Sequence, residues 1–292
     1  LVIAGAGSGK TKVLTHKIAY LMQEEKVLPW NILAITFTNK AANEMKERIE
    51  TLVGEAAKDI WMGTFHSICV RILRKFIDRI GFDSSFLIFD ASDQKTLVKE
   101  CLKALNIDDK FFNERGVLAE ISNAKNALLE PEAYSKKYAG DYRKSKIAEI
   151  YALYQKRLKE NNAVDFDDII NHTIKILSEN PDVLEYYTEK FKYILVDEYQ
   201  DTNKAQFTLV TILASKYGNI TVVGDNDQGI YSFRGADISN ILNFEKDFPG
   251  TKIVKLEQNY RCTGNILKAA NSVIKHNETK YDKKLWTENG EG

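Results

Sequence analysis

The stretch that most constrains this chain is AGAGSGKT, Ala4, Gly5, Ala6, Gly7, Ser8, Gly9, Lys10 and Thr11, set directly after the apolar LVI. A strand end, a glycine turn and a helix opening with Lys-Thr form the P-loop arrangement. Gly5, Gly7 and Gly9 let backbone N–H groups wrap a phosphate, and the new helix adds the positive end of its dipole. Lys10 has the reach for β- and γ-phosphates, and the Thr11 hydroxyl can ligate Mg²⁺. Ala4 stands where the generic pattern has glycine. The expected ligand is a nucleoside triphosphate.

The pattern around this loop alternates. Val13, Leu14, Ile18 and Leu21 fall at helical spacing after Lys10. ILAITF (32–37) reads as a strand, NKAANEMKERI as a helix capped by Asn39, and IWMGTF followed by residues 67–80 repeats strand and helix. Such alternation predicts a parallel sheet with helices on its faces. Between about residues 90 and 162 only helical patterns occur, the clearest being the stripe Ile147, Ile150, Tyr151, Tyr154 and Leu158. Strands return at KYILVDE, NITVVGD and KIVKLE. A helical block is therefore expected inside an α/β domain.

A second chemical signal is ILVDEYQD, residues 194–201. An apolar strand ending in Asp is a Walker B arrangement, with Asp197 placed to hold Mg²⁺. Glu198 beside it is the natural base for an attacking water. Hydrolysis needs that water, so the pair disfavours a small-molecule kinase.

Together with AITFTNKAANEM, GTFHS, GDNDQGIYSFRGAD (224–237) and LEQNYR (256–261), these blocks resemble superfamily 1 DNA helicases of the UvrD/Rep/PcrA type, the Gram-positive members being the most alike. The likeness covers essentially the whole chain. It implies a RecA-like P-loop NTPase fold, interrupted by an all-helical inserted subdomain, with the first motor domain at 1–89 and 163–256. The insert would span 90–162, and residues 257–292 would begin a second RecA-like domain. The implied activity is ATP hydrolysis with Mg²⁺, driving 3′→5′ movement on single-stranded DNA and strand separation in repair or replication. By the same resemblance, Gln228 and Arg261 would contact the γ-phosphate, Tyr260 would stack on adenine, and Arg234 would join the polar network. Asn226, Gly229 and Cys262 depart from the usual Asp, Ser and Ser; none removes a charge the mechanism requires.

Single strands are held by aromatic platforms with polar backbone contacts. The resemblance places Phe65, Tyr231 and Phe233 as platforms, many relatives having Trp at the last. Thr36, Thr38, Asn39 and His66 are candidate phosphate and sugar contacts. The basic, tyrosine-bearing KKYAGDYRKSK (136–146) reads as a solvated helix end, with a duplex contact as the alternative.

The remaining numbers bound these expectations. With 41 basic and 41 acidic residues the formal net charge is zero, so a polyanion would have to be met by a local groove. No apolar run approaches the ~20 residues of a membrane span. Cys69, Cys101 and Cys262 are far apart, so neither a disulfide framework nor a zinc site is expected, and a cytoplasmic setting is the default. The family's upstream glutamine motif and most of the second motor domain are missing, so the chain reads as a fragment expected to hydrolyse ATP poorly alone. Accessory repair or replication proteins and single/double-strand junctions are the further expected partners. Two rival readings are the motor subunit of a helicase–nuclease and a non-catalytic, nucleotide-gated DNA-binding protein.

Overall fold

The computed structural model describes residues 1–232, 235–277, 281 and 283–292. The expected alternation is present as β1 (Val2–Ala4), α1 (Lys10–Gln23), β2 (Ile32–Thr36), α2 (Asn39–Val53), β3 (Trp61–Thr64) and α3 (Phe65–Phe76). Next come β4 (Leu87–Ile88), α4 (Ala91–Ala104), α5 (Glu114–Asn126), α6 (Pro131–Lys137), α7 (Tyr142–Glu160), β5 (Ala163–Val164), α8 (Phe166–Glu179) and α9 (Pro181–Lys190). β6 (Tyr193–Val196), α10 (Lys204–Ala214), β7 (Ile220–Gly224), β8 (Val254–Leu256) and a helix at Gly264–Ile274 complete the main elements. Among the described residues no helix is long and apolar enough to cross a membrane.

The backbone divides into two compact units: residues 1–68, 185–203 and 210–292, and residues 69–184 with 204–209. The first is built on a six-stranded sheet in the order β3-β2-β6-β7-β1-β8. Every pairing in it is parallel. β2 is buried at all five positions, as a strand covered on both faces must be, which explains its unbroken apolar run. Leu14, Ile18 and Leu21 of α1 and Met45 and Ile49 of α2 pack into the core with Ile32, Ala34, Leu195 and Val223 of the strands. Because all strands run the same way, the turns after β1, β2, β3, β6, β7 and β8 leave from one edge, where ligands of open α/β sheets bind.

α2 is capped one residue earlier than expected. Thr38, extended at φ −128°, accepts from the Ala41 N–H, while Asn39 is the first helical residue. Both are good capping residues; the backbone turns at Thr38, and only there does the side chain reach the orphan N–H groups.

The second unit is helical, apart from the short parallel pair β4–β5. Its core is the expected α7 stripe, Ile147, Ile150, Tyr151, Tyr154 and Leu158 being at most 2% exposed, packed with Leu97, Val98, Cys101, Val117 and Ile121. The unit is wider than residues 90–162 because α8 packs on α5 and on the turn 77–80. Capping boxes at Asp90/Asp93 and Asp165/Asp168 start α4 and α8. In the basic segment Lys144 pairs with Glu120 at 2.6 Å and Lys146 with Glu149 at 2.9 Å.

Candidate functional site

The turn after β1 is shaped by its glycines. Gly7 and Gly9 lie at φ 71° and 91°, a region side chains resist, and Gly9 begins α1. A Cβ on Gly7 would sit 2.7 Å from Asn259 Nδ2 and 2.9 Å from Arg261 Cβ. The Ser8 hydroxyl donates to Gly5 O at 2.7 Å, tightening the loop. Ala4, Gly5 and Ser8 are buried, Ala6 is exposed, and Gly7, Gly9, Lys10 and Thr11 are half-buried, so the loop offers its later members to a ligand.

The end of β6 meets this loop. Thr11 Oγ1 donates to Asp197 Oδ2 at 3.3 Å, and Lys10 Nζ lies 3.3 Å from Glu198 Oε2. Glu198 is held in the left-handed region at φ 47°, ψ 42°. For a residue other than glycine that conformation is strained, a feature that clusters at functional sites. The Glu198 N–H donates to Asp197 Oδ1 at 2.9 Å. Gln200, 2% exposed, donates to Glu198 at 2.9 Å and Asp201 at 3.2 Å, and accepts from the Asp225 N–H at 3.0 Å.

Acid outweighs base here. Burial and then the Glu198 charge lift Asp197 to about 6, and the same causes lift Asp201 to about 6. Asp201 Oδ1 is buried with no hydrogen-bond partner among the described residues. A hydroxyl, a buried carboxylate short of counter-charge and an excess of acid suit a hard divalent cation. No cluster of three or more His, Cys, Asp or Glu that could hold a metal occurs among the described residues.

The turn after β7 carries Gln228, whose Nε2 donates to Asp225 Oδ2. After β8, Asn259 ties the chain to the phosphate loop: its Nδ2 donates to Ala6 O at 2.6 Å, and the next residue's N–H, Tyr260 N, donates to Gly7 O at 3.0 Å. Asn259 Oδ1 accepts from the Arg261 and Cys262 N–H groups at 2.8 and 2.7 Å, which roots Arg261 beside Gly7. The Tyr260 ring is 66% exposed.

The strand-contact candidates divide. Thr38, Asn39 and Tyr231 are exposed, and His66 is half-buried, its burial lowering the imidazole to about 4 and keeping it neutral near pH 7. Two of the candidates are buried. Phe65 is 1% exposed, its ring edge-on to Phe37 at 5.6 Å, so it offers no open stacking face. Thr36 is 1% exposed as the last residue of β2, whose strand is covered on both sides. Phe233 and Arg234 lie outside the described residues.

Residues 1–249 match the UvrD/REP helicase N-terminal domain. The chain belongs to the UvrD/REP helicase family. Over all 292 residues it is 59% identical to the ATP-dependent DNA helicase PcrA of Bacillus subtilis and 59% identical to that of Staphylococcus epidermidis. It is 58% identical to that of Staphylococcus aureus. It spans 39–40% of the length of these relatives.

In this UvrD/REP chain, Gln200 and Asn259 are the site residues that sequence reasoning missed. Both sit inside motifs already singled out, DEYQD and QNYR, between residues with obvious charge. Their work is to join turns distant in sequence, and an amide in a motif carries no local sign of that.

Proposed function

We propose that the intact protein is a DNA-stimulated ATPase that moves 3′→5′ on single-stranded DNA and separates strands ahead of it. This chain would carry the first motor domain, expected at 1–89 and 163–256, its 90–162 insert and the first part, 257–292, of a second. The observation that carries the reading is the meeting of two strand ends: Lys10 with Glu198, and Thr11 with Asp197, each at 3.3 Å.

The loop N–H groups and the N-terminus of α1 would hold the β- and γ-phosphates. Lys10, drawn to phosphate oxygens, leaves Glu198, which stays oriented by Gln200. Glu198 then accepts the proton of the water that attacks the γ-phosphorus, as the bond to the ADP oxygen breaks. Thr11 and Asp197 would hold Mg²⁺, which offsets charge on the phosphates. Arg261 and Gln228 would meet the transferring phosphoryl group, and Tyr260 the adenine.

Tyr231 and Phe233 would hold bases, with Thr38, Asn39, His66 and Arg234 as polar contacts. One base on an aromatic ring is worth ~1–3 kcal/mol, and a DNA stacking step averages ~1.4 kcal/mol. A grip that loosens and tightens with nucleotide is therefore matched in size to duplex melting.

The test is ATP hydrolysis by the full-length protein with and without single-stranded oligonucleotide, and strand displacement on substrates tailed at either 3′ or 5′ ends. Glu198→Gln should lower turnover ~10²–10⁴-fold. Equal hydrolysis with and without oligonucleotide, or displacement only from 5′ tails, would overturn the reading.

A further inference from the structure

Lys283 stood in no motif, yet its side chain is only 5% exposed. Its ammonium lies 2.6 Å from Asp225 Oδ1 and also pairs with Asp227 Oδ2. Both carboxylates belong to the GDNDQ turn and are 3–5% exposed. Two adjacent buried carboxylates require a counter-charge, and among the described residues Lys283 is the ammonium that meets them. The grip is reinforced from either side. Asn277 Nδ2 reaches Asp227 Oδ1 at 3.4 Å, and the Tyr281 hydroxyl donates to Glu245 at 3.2 Å. Further on, the Lys284 N–H donates to Glu257 Oε1 at 2.9 Å, and the Trp286 N–H to Glu257 O at 3.0 Å. Residues 283–286 are thus strapped both to the turn after β7 and to the stretch that leads into Asn259, Tyr260 and Arg261.

The chemistry lies in which oxygens are used. Lys283 takes Oδ1 of Asp225, while Gln228 Nε2 donates to Oδ2 of the same carboxylate. The backbone N–H of Asp225 in turn binds Gln200, which holds Glu198. Charge that the ammonium draws from Asp225 weakens the competing hold on the Gln228 amide. That amide must turn from carboxylate to phosphate if it is to sense the γ-phosphate.

We propose that Lys283 is a positioning residue for ATP hydrolysis, setting through Asp225 how readily Gln228 engages the γ-phosphate, and coupling that turn to the segment running toward the C-terminal end. This rests on the ATPase reading above.

The test is steady-state ATP hydrolysis by the full-length protein with saturating single-stranded oligonucleotide. Lys283→Met should lower kcat by roughly tenfold or more while KM for ATP changes less than about threefold. Lys283→Arg should restore most of kcat. In a Gln228→Ala background, Lys283→Met should add less than about twofold, since both act along one path. If Lys283→Met does not fold, Lys283→Gln, which keeps an N–H donor and loses the charge, takes its place under the same criteria. Fully additive losses in the double variant, an unchanged kcat, or no recovery with Lys283→Arg would overturn the proposal. Wild-type protein without oligonucleotide-stimulated turnover would overturn the ATPase reading itself, and this proposal with it.

Discussion

Lys125 in the helical unit and Lys10 in the sheet unit each meet carboxylates, but in opposite ways. Lys125 is 1% exposed and sits 2.6 Å from Asp165 and 2.7 Å from Asp168, with the Tyr154 hydroxyl donating to Asp165 at 3.0 Å. Burial alone would lower its pKa, but the two aspartate charges outweigh that and hold it above the ordinary lysine range. The group is closed on itself, and it ties α5, α7 and α8 together. Lys10 is 11% exposed, 3.3 Å from a glutamate that is 37% exposed, on a strained backbone and beside a carboxylate short of counter-charge. One arrangement is satisfied by its own protein; the other is the partnership that, in the function proposed above, a triphosphate replaces. On that proposal similar residue types serve cohesion in one unit and ligand exchange in the other.

The largest expected effects mirror each other. Lys125→Met leaves two buried carboxylates without their cation and should cost about 3–5 kcal/mol of stability. That is a large share of the ~5–15 kcal/mol a domain has. Lys10→Met should lower ATP turnover of the full-length protein by ~10²–10³, with stability within ~0.5 kcal/mol of wild type. Chemical denaturation and steady-state hydrolysis of both variants check the pair. The comparison breaks if Lys10→Met unfolds the protein as readily as Lys125→Met does.

A middle-sized effect concerns pH. Burial, then the Glu198 charge, raises Asp197 from 3.8 to about 6, so the folded chain favours its neutral form. Stability from this group is therefore present below about pH 4 and lost as pH rises through 6, amounting to at most roughly 3 kcal/mol. Asp197→Asn should raise stability at pH 8 by part of that amount and change little at pH 4. Hydrolysis runs the other way: on the proposal that Asp197 holds Mg²⁺, protons compete with the cation for it, so the free Mg²⁺ needed for half-maximal turnover should rise as pH drops below about 6. Equal stabilisation by Asp197→Asn at both pH values would remove Asp197 from the group of strained, exchangeable charges.

The same contrast explains what could be read from the sequence. β2 is buried at every position and β6 at all but its first, so ILAIT and YILV announce themselves as apolar runs. The phosphate loop is local, its glycines and Lys10 lying within eight residues. The α7 stripe is legible because helical spacing is a local property too. Burial at the end of a strand is not: Phe65 looks the same in sequence whether it faces a cleft or Phe37, and Thr36 whether it is open or covered. Asn259 meets Ala6 across 253 positions, and Lys283 meets Asp225 from beyond every motif. Long-range polar contacts have no period, so only the fold reveals them. That α8 packs on α5 is likewise illegible in the sequence, because α8 has the pattern of any amphipathic helix and its partner is named only by packing.

The smallest effect tests a boundary between structure and ligand contact. Thr38 caps α2 by accepting from the Ala41 N–H at 3.1 Å, yet it is exposed at the sheet's ligand edge. The hydroxyl oxygen accepts while its own hydrogen stays available to a phosphate oxygen, so one side chain can serve both ends. Thr38→Ala should cost about 1 kcal/mol by loss of the cap and weaken single-stranded oligonucleotide binding, whereas Thr38→Ser should keep both. Asn39→Ala, one residue inside the helix, should leave stability within ~0.5 kcal/mol. Denaturation and oligonucleotide titration of the three variants separate the roles. If Asn39→Ala is the more destabilising, the cap is misplaced; if Thr38→Ala loses stability but binds oligonucleotide as before, Thr38 belongs with Lys125, among residues that hold the protein rather than the ligand.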